Sequence, residues 1–487
     1  MRRVHLVVAL LVWISDAQSQ QDSTNLPLCQ YCYCADDVAP PKVICIKDVK
    51  EVLAQPDNWV DAQTNQSYQY ADLTLANQNF IELNFTFPTA NLTYLNLAKN
   101  DIYRITASAF KNLQQMKTLI LSNNDLELLL PDAFKGLYLE ERLLPLRSLI
   151  ELRLDHNKLH TLNMDLFEHT TDLEILDLSY NPLEVIDKHT LIAIDSLIFL
   201  KELYLGNTNI KTLPDQMLHT PKYLQILDLS GNPIEKIPNT LSEAHNLTAL
   251  YLNSTGFKNL TKENGFPLMN TLKILHLCRM ADLERIEGES MAGLINLEEL
   301  HMSDNIRLNH IDQFALAQIN KVTGGTIWPP IKTLHLANNK LAYLDSDVIA
   351  RWDALTGLDL RSNPWTCECE NQWLIEDLMP VYLKIDKISA MQVRCAAPIE
   401  MLEYSFYELY TRHYKMRCLD MYGAEPEKDA FLLVGILGGI LIAIPVILFV
   451  MLAYQRRWFG FCTIFDKSPA SYSRRFYSAT SSNDDYI

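Results

Sequence analysis

What this chain lacks narrows its chemistry first. No GxSxG, HExxH or phosphate-binding loop occurs in its 487 residues. The motifs that place an activated serine, a catalytic zinc or a nucleotide phosphate are therefore missing. Aspartates and histidines are scattered, with no nucleophile spaced to partner them. Neither enzymatic activity, a cofactor nor a metal is expected. Positive charge is short as well: 42 Lys and Arg stand against 59 Asp and Glu, a net charge of −17. The deficit falls on the middle of the chain, because residues 1–17 and the stretch from Gln455 onward are each weakly basic. Such a surface argues against nucleic acid, heparin-like chains or anionic lipid as the general partner, since all three need a basic face. Long uncharged apolar runs are scarce too; there are two.

Those two runs set the compartment. Arg2-Arg3, then Val7 to Ile14, then Ser15-Asp16-Ala17 form a charged start, a short apolar stretch and small residues. That is the pattern of a secretory signal over residues 1–17. The second run has no charge from Ala430 to Tyr454. As a helix it reaches about 35 Å, enough to cross a hydrocarbon layer of roughly 30 Å. Arg456 and Arg457 follow it, and Glu425, Glu427 and Asp429 precede it. The positive-inside rule then puts the N-terminal bulk outside the cell. The expectation is a single-pass plasma-membrane protein with a short stalk at 421–429, a transmembrane helix at 430–454 and a cytoplasmic tail at 455–487.

One phrase fills the space between. Its clearest copy is Leu173-Glu-Ile-Leu176-Asp-Leu178-Ser-Tyr-Asn181-Pro-Leu183, that is LxxLxLxxNxL. Twelve copies begin at Tyr70, Leu92, Met116, Leu149, Leu173, Leu200, Leu224, Leu247, Leu272, Leu297, Ile331 and Leu355. Most steps are about 22 to 27 residues, the period of stacked units. The LxL alternation predicts a short strand with its leucines turned inward. The Asn can satisfy backbone groups where the chain leaves that strand. Two longer steps carry insertions, Tyr138 to Leu146 and Lys321 to Pro330. Both are expected as loops on the convex or side surface, with Trp328 a candidate contact.

Cysteines bracket the repeats. Cys29, Cys32, Cys34 and Cys45 precede them; Cys367, Cys369, Cys395 and Cys418 follow, opening with Asn363-Pro364-Trp365-x-Cys367-x-Cys369. In a secreted chain such groups read as disulfides. A CxxC also suits zinc, which an oxidising compartment disfavours. Cys278 is left over, either a partly buried thiol or a link to another chain.

The repeats together with these flanks resemble the extracellular leucine-rich-repeat family, of the single-pass receptor and adhesion type. The resemblance implies an α/β solenoid, a horseshoe with a parallel β-sheet on its concave side and short turns on its convex side. It implies cysteine-rich caps at 18–69 and 366–420 around repeats at 70–365. It further implies the pairs Cys29–Cys34, Cys32–Cys45, Cys367–Cys395 and Cys369–Cys418. Twelve strands spaced by about 4.8 Å would make an inner arc of about 58 Å, a protein-sized surface.

The residue between the two leucines of LxL should face out of that sheet. Through the middle of the chain this column reads Arg153, Asp177, Tyr204, Asp228, Tyr251, His276, His301, His335. Aromatics and charges in one exposed line are the composition of a recognition surface. The three histidines in a row suit a metal ion or proton sensing, and no carboxylate is placed by sequence to complete a metal set. Six NxS/T sequons, at Asn65, Asn84, Asn91, Asn246, Asn253 and Asn259, are candidate glycan sites. Gly435 and Gly439 form a GxxxG in the apolar run, compatible with homo- or heterodimer pairing. In the tail, Cys462 is placed for acylation. Asp485 and the terminal Ile487 resemble a ligand of a PDZ scaffold. The tail is too short for the signalling domain of Toll-like receptors. The expected function is protein recognition at the cell surface, as an adhesion protein or co-receptor with an extracellular or cell-surface protein partner. The alternative is an innate-immune or ligand-presenting accessory that binds soluble or microbial ligands and signals through a partner.

Overall fold

The computed structural model describes residues 26–35, 40–46, 48–61, 63–64, 66–139, 142–319, 324–416 and 426–455. They fall into two units, Met1–Met416 and Arg417–Ile487. In the first, every copy of the phrase makes one coil of a solenoid. Its three-residue strand holds the central Leu buried between two partly exposed neighbours, as at Ile175–Asp177. Successive strands pair in parallel and in register: Leu152 meets Leu176, which meets Leu203, then Leu227. The sheet has fourteen strands, because the N-terminal cap adds Tyr33–Ala35 and Lys42–Ile44 ahead of the twelve repeats. The first of these runs antiparallel, so the cap pairs the sheet's open edge before the repeats begin.

One backbone rule ends every strand. The residue before the Asn position is left-handed in all twelve coils, from Asn77 and Lys99 through Tyr180 to Ser362, with φ between 53° and 71°. That turn lifts the chain off the sheet. At Gly231 the turn also needs a bare Cα, since an added Cβ would fall onto the Asn207 side chain. The Asn that follows binds two coils together. Asn181 Nδ2 donates to Leu178 O of its own coil and to Leu154 O of the preceding one, each at 2.9 Å. Its Oδ1 accepts from Leu159 N–H at 3.0 Å. The same pattern recurs at Asn100, Asn124 and Asn157.

The convex side is filled by a second apolar layer. Phe110 stacks between Phe87 and Phe134 at 5.9 and 6.1 Å, all three buried. Short 3₁₀ turns and two-residue bridges make most of this side. One coil carries a two-turn helix, Lys188–Asp195, with Asp187 as its N-cap on Thr190 N–H.

Two expectations need correction. The insertions expected as loops are antiparallel hairpins, Leu137–Leu139 with Arg142–Leu144 and Gln318–Ile319 with Thr326–Ile327. Pairing across each hairpin satisfies backbone groups that a loop would leave to water. Among the described residues, the second unit contains one helix, Pro426–Gln455. It starts inside the segment read as stalk, Pro being suited to a helix's first turn. Its Phe431–Ala453 stretch is long and apolar enough to cross a membrane.

Both caps are cross-linked. Cys29 joins Cys34, Cys32 joins Cys45, and Cys367 joins Cys395. Cys369 is also disulfide-bonded; Cys418, its expected partner, lies outside the described residues. Trp59 packs against Tyr70 and Phe87 under the N-terminal cap. Trp365 is fully buried under the C-terminal one, donating from its indole to Leu360 O at 2.9 Å.

Candidate functional site

Parallel register turns the LxL pattern into a ruled surface. Arg153, Asp177, Tyr204, Asp228, Tyr251, His276, His301 and His335 sit directly beside one another on consecutive strands. All are partly or fully exposed, while the leucines on either side are buried. A second column runs parallel to it and was missed by reading one position per repeat. It holds Glu151, Ile175, Glu202, Ile226, Ala249, Ile274 and Glu299. The signal was present: alternation exposes both neighbours of the buried central Leu.

The two columns interlock. Arg153 Nε donates to Glu151 Oε1 at 2.6 Å. Burial pushes the Asp177 carboxyl up, against the backbone N–H of Ser179 that its Oδ1 accepts at 2.9 Å. Tyr204 donates from its hydroxyl to Glu202 Oε2 at 2.8 Å. Burial and that carboxylate both make the phenol harder to ionise. Asp228 accepts from Ser230 N–H at 2.8 Å. Tyr251 lies 4.7 Å from His276, and the three histidines follow in contact. The column ends at Asp359, held by Arg361 in a two-pronged ion pair. One further pair lies on the rim: His156 stacks on Tyr180 at 4.0 Å, with Tyr180 half-exposed. Both belong to the left-handed turn position, which the repeat phrase leaves unspecified.

The flanks are ionic and polar. Glu298 sits between Lys273 and Lys332, which hold its carboxyl below the ordinary range. Glu298 and Lys273 line an open groove of about 650 Å³ with Asn246 and Thr248. A glycan on Asn246 would enter it. Asn84, Asn91 and Asn259 are exposed. Asn253 is half-buried, its Oδ1 accepting from Cys278 N–H at 2.9 Å. Asn65 lies outside the described residues, as do Cys462, Asp485 and Ile487. Cys278 is a free, half-buried thiol whose ionisation burial opposes. Trp328 packs toward Phe314 at 6.1 Å. Among the described residues no three His, Cys, Asp or Glu side chains come together as a metal ion requires.

A family profile described as Leucine rich repeat matches residues 90–141, 147–200 and 198–257. This is a leucine-rich-repeat protein. Its parallel solenoid and disulfide-bonded ends agree with that family. Lumican of Gallus gallus is 27% identical over 277 residues, covering 53% of this chain and 75% of lumican. CD180 antigen of Mus musculus is 25% identical over 291 residues, covering 60% of this chain but only 37% of CD180. A solved octameric complex of Latrophilin 3, Unc5D and FLRT2 (LRR) contains a similar chain. The match has a TM-score of 0.46 and 20% identity, and covers 70% of this leucine-rich-repeat chain and 89% of the other.

Proposed function

We propose that this leucine-rich-repeat protein is a single-pass cell-surface recognition molecule, acting in adhesion or as a co-receptor. It binds a protein ligand along its concave face and carries no catalytic site of its own. The observation that carries this reading is the registered double column from Arg153 to His335. It joins aromatic rings to carboxylates on a rigid sheet, so little side-chain entropy is lost on contact. The helix Phe431–Ala453 supports a membrane anchor. Glycans at Asn84, Asn91, Asn246 and Asn259 would leave the stretch around Tyr204 open.

Tyr204 is the contact chosen for test. It is a large amphipathic ring in mid-face, with its hydroxyl already oriented by Glu202. Residues 18–428, multimerised, would be used to stain cells displaying a panel of surface and secreted proteins, this protein included. A membrane-protein hit should weaken by about 30-fold or more with Tyr204→Ala, the loss typical of a central aromatic contact. Binding that ignores Tyr204→Ala and Asp228→Lys alike would remove the concave-face reading.

A second reading keeps the same face but gives it soluble or microbial ligands and a signalling partner in the same membrane. What favours it is the helix itself. Added Cβ atoms at Gly435, Gly438 and Gly439 meet nothing within 4 Å. Gly435 and Gly439 lie about one turn apart, so a second helix can approach closely there. The same staining experiment separates the two: soluble ligands only, or binding only with a co-expressed partner, selects the accessory role.

A further inference from the structure

Three imidazoles on successive strands touch one another on the concave face. His276 stacks on His301 with centres 4.1 Å apart and planes 14° from parallel. His301 meets His335 edge to face, with their Nδ1 atoms 3.0 Å apart. The other nitrogen of His301, Nε2, lies 3.5 Å from Glu299 Oε2. The row begins against Tyr251 and ends beside Asp359, whose charge Arg361 already pairs.

That geometry fixes a proton count. Two imidazole nitrogens 3.0 Å apart share one proton, one donating and one accepting. With His301 Nε2–H turned to Glu299, its Nδ1 accepts from Nδ1–H of His335. A further proton on His301 must enter at that same Nδ1. His335 can answer by moving its own proton to Nε2, so the pair carries one added proton; a second leaves two N–H groups facing each other, and the contact has to part. A proton on His276 places a cation against the neighbouring ring. Glu299 is the carboxylate beside the row, Asp359 is occupied by Arg361, and Asp228 is reached only past Tyr251. Asp359 and Glu299 each favour a proton on His335, but less than burial and the charge of His301 oppose it. Burial, with the neighbouring imidazoles, holds His276 down to about 4 and keeps His335 below its ordinary value.

A weaker seam borders the row on its N-terminal side, while the coils of the row itself are tied by Asn305 and Asn339. In the coils starting at Leu247 and Leu272 the Asn position is taken by Thr255 and Met280. Thr255 Oγ1 reaches only Leu252 O of its own coil and the Met280 sulfur. The amide tie that elsewhere bridges two coils is replaced there by Asn253 accepting from Cys278 N–H.

We propose that the His276–His301–His335 row is an acid-opened latch: closed at neutral pH it fixes the C-terminal half of the concave surface for its partner, and in an acidic compartment it parts and releases that partner. Partner release rests on the concave-face reading above, whereas opening of the row needs no partner. The sign follows from linkage. Imidazoles that bind protons less readily when closed make opening easier as pH falls below the ordinary value near 6.5. Above that value the latch keeps its full stability.

Hydrogen–deuterium exchange on the full chain in lipid nanodiscs tests this without any ligand. Rates at pH 7.4 and 5.0 would be corrected for the intrinsic pH dependence of amide exchange. In the wild-type protein, amides of Ile274–His276, Glu299–His301 and Thr333–His335 should exchange about tenfold faster at pH 5.0, the change that one unit of lowered pKa delivers. Amides of Glu151–Arg153 should not respond. In His301→Gln with His335→Gln the acid response should vanish while the protection of Glu151–Arg153 persists, showing an intact fold. Equal protection at both pH values, or the same acid response in the double variant, overturns the latch. If the row opens but a concave ligand stays bound at pH 5.0, the latch stands and the concave reading falls.

Discussion

The amide of Asn181 bonds to two coils at once while only 1% of the residue is exposed. Removing it strands Leu178 O and Leu159 N–H in a dry interior, while Leu154 O keeps the amide of Asn157. Each buried group left without a partner costs about 1–3 kcal/mol. Asn181→Ala should therefore lower stability by about 3–4 kcal/mol, read as an earlier midpoint in urea unfolding followed by circular dichroism. A loss below about 0.5 kcal/mol would mean that water replaces the ladder. The left-handed turn residues set a complementary cost. Such a backbone costs a side-chain-bearing residue about 1–2 kcal/mol. Tyr180 and His156 nevertheless hold it with stacked rings. The Asn ladder beside the turn is what the strain is held against.

Among the elements, the N-terminal cap does two jobs: it pairs the sheet's first edge and covers the end of the apolar core. The Cys32–Cys45 bridge closes 13 residues and ties the strand Lys42–Ile44 to the preceding turn. Removing loop-closure entropy from the unfolded chain puts its contribution near about 3 kcal/mol. Cys32→Ser with Cys45→Ser should show that loss as a lower thermal midpoint of the outer part by calorimetry. An unchanged midpoint would assign the cap's stability to Trp59, Tyr70 and Phe87 instead. The hairpins differ in kind. Tyr138 and Leu139 are exposed, as are Leu143 and Leu144 across the hairpin, so these strands contribute little core.

At the scale of the whole molecule, the two units differ in what they expose. The solenoid keeps leucines inside and charges outside. The helix Phe431–Ala453 instead presents Leu, Ile, Val and Phe on its surface, the composition that a membrane-spanning helix needs. The full chain expressed in cells should stay in the membrane pellet through alkaline carbonate extraction, and deletion of 430–454 should release it. Release of the intact chain would argue against a spanning helix.

How much of this was legible in the sequence depends on distance along the chain. The period, the buried leucines, the Asn ladder and the exposed column from Arg153 to His335 are local regularities. Period-2 alternation and a fixed repeat length are enough to place them. What stacking alone decided lies between residues far apart. Neighbouring strands had to align in register before the Nδ1 atoms of His301 and His335, 34 positions apart, could meet. The same holds for the His156–Tyr180 pair. The insertions became hairpins because pairing within each one satisfied its own backbone. The sequence by itself therefore determined the coil and which side of it faces water. Only the tertiary structure decided which of those water-facing groups touch, because contact between coils depends on register, and register exists only once the coils are stacked.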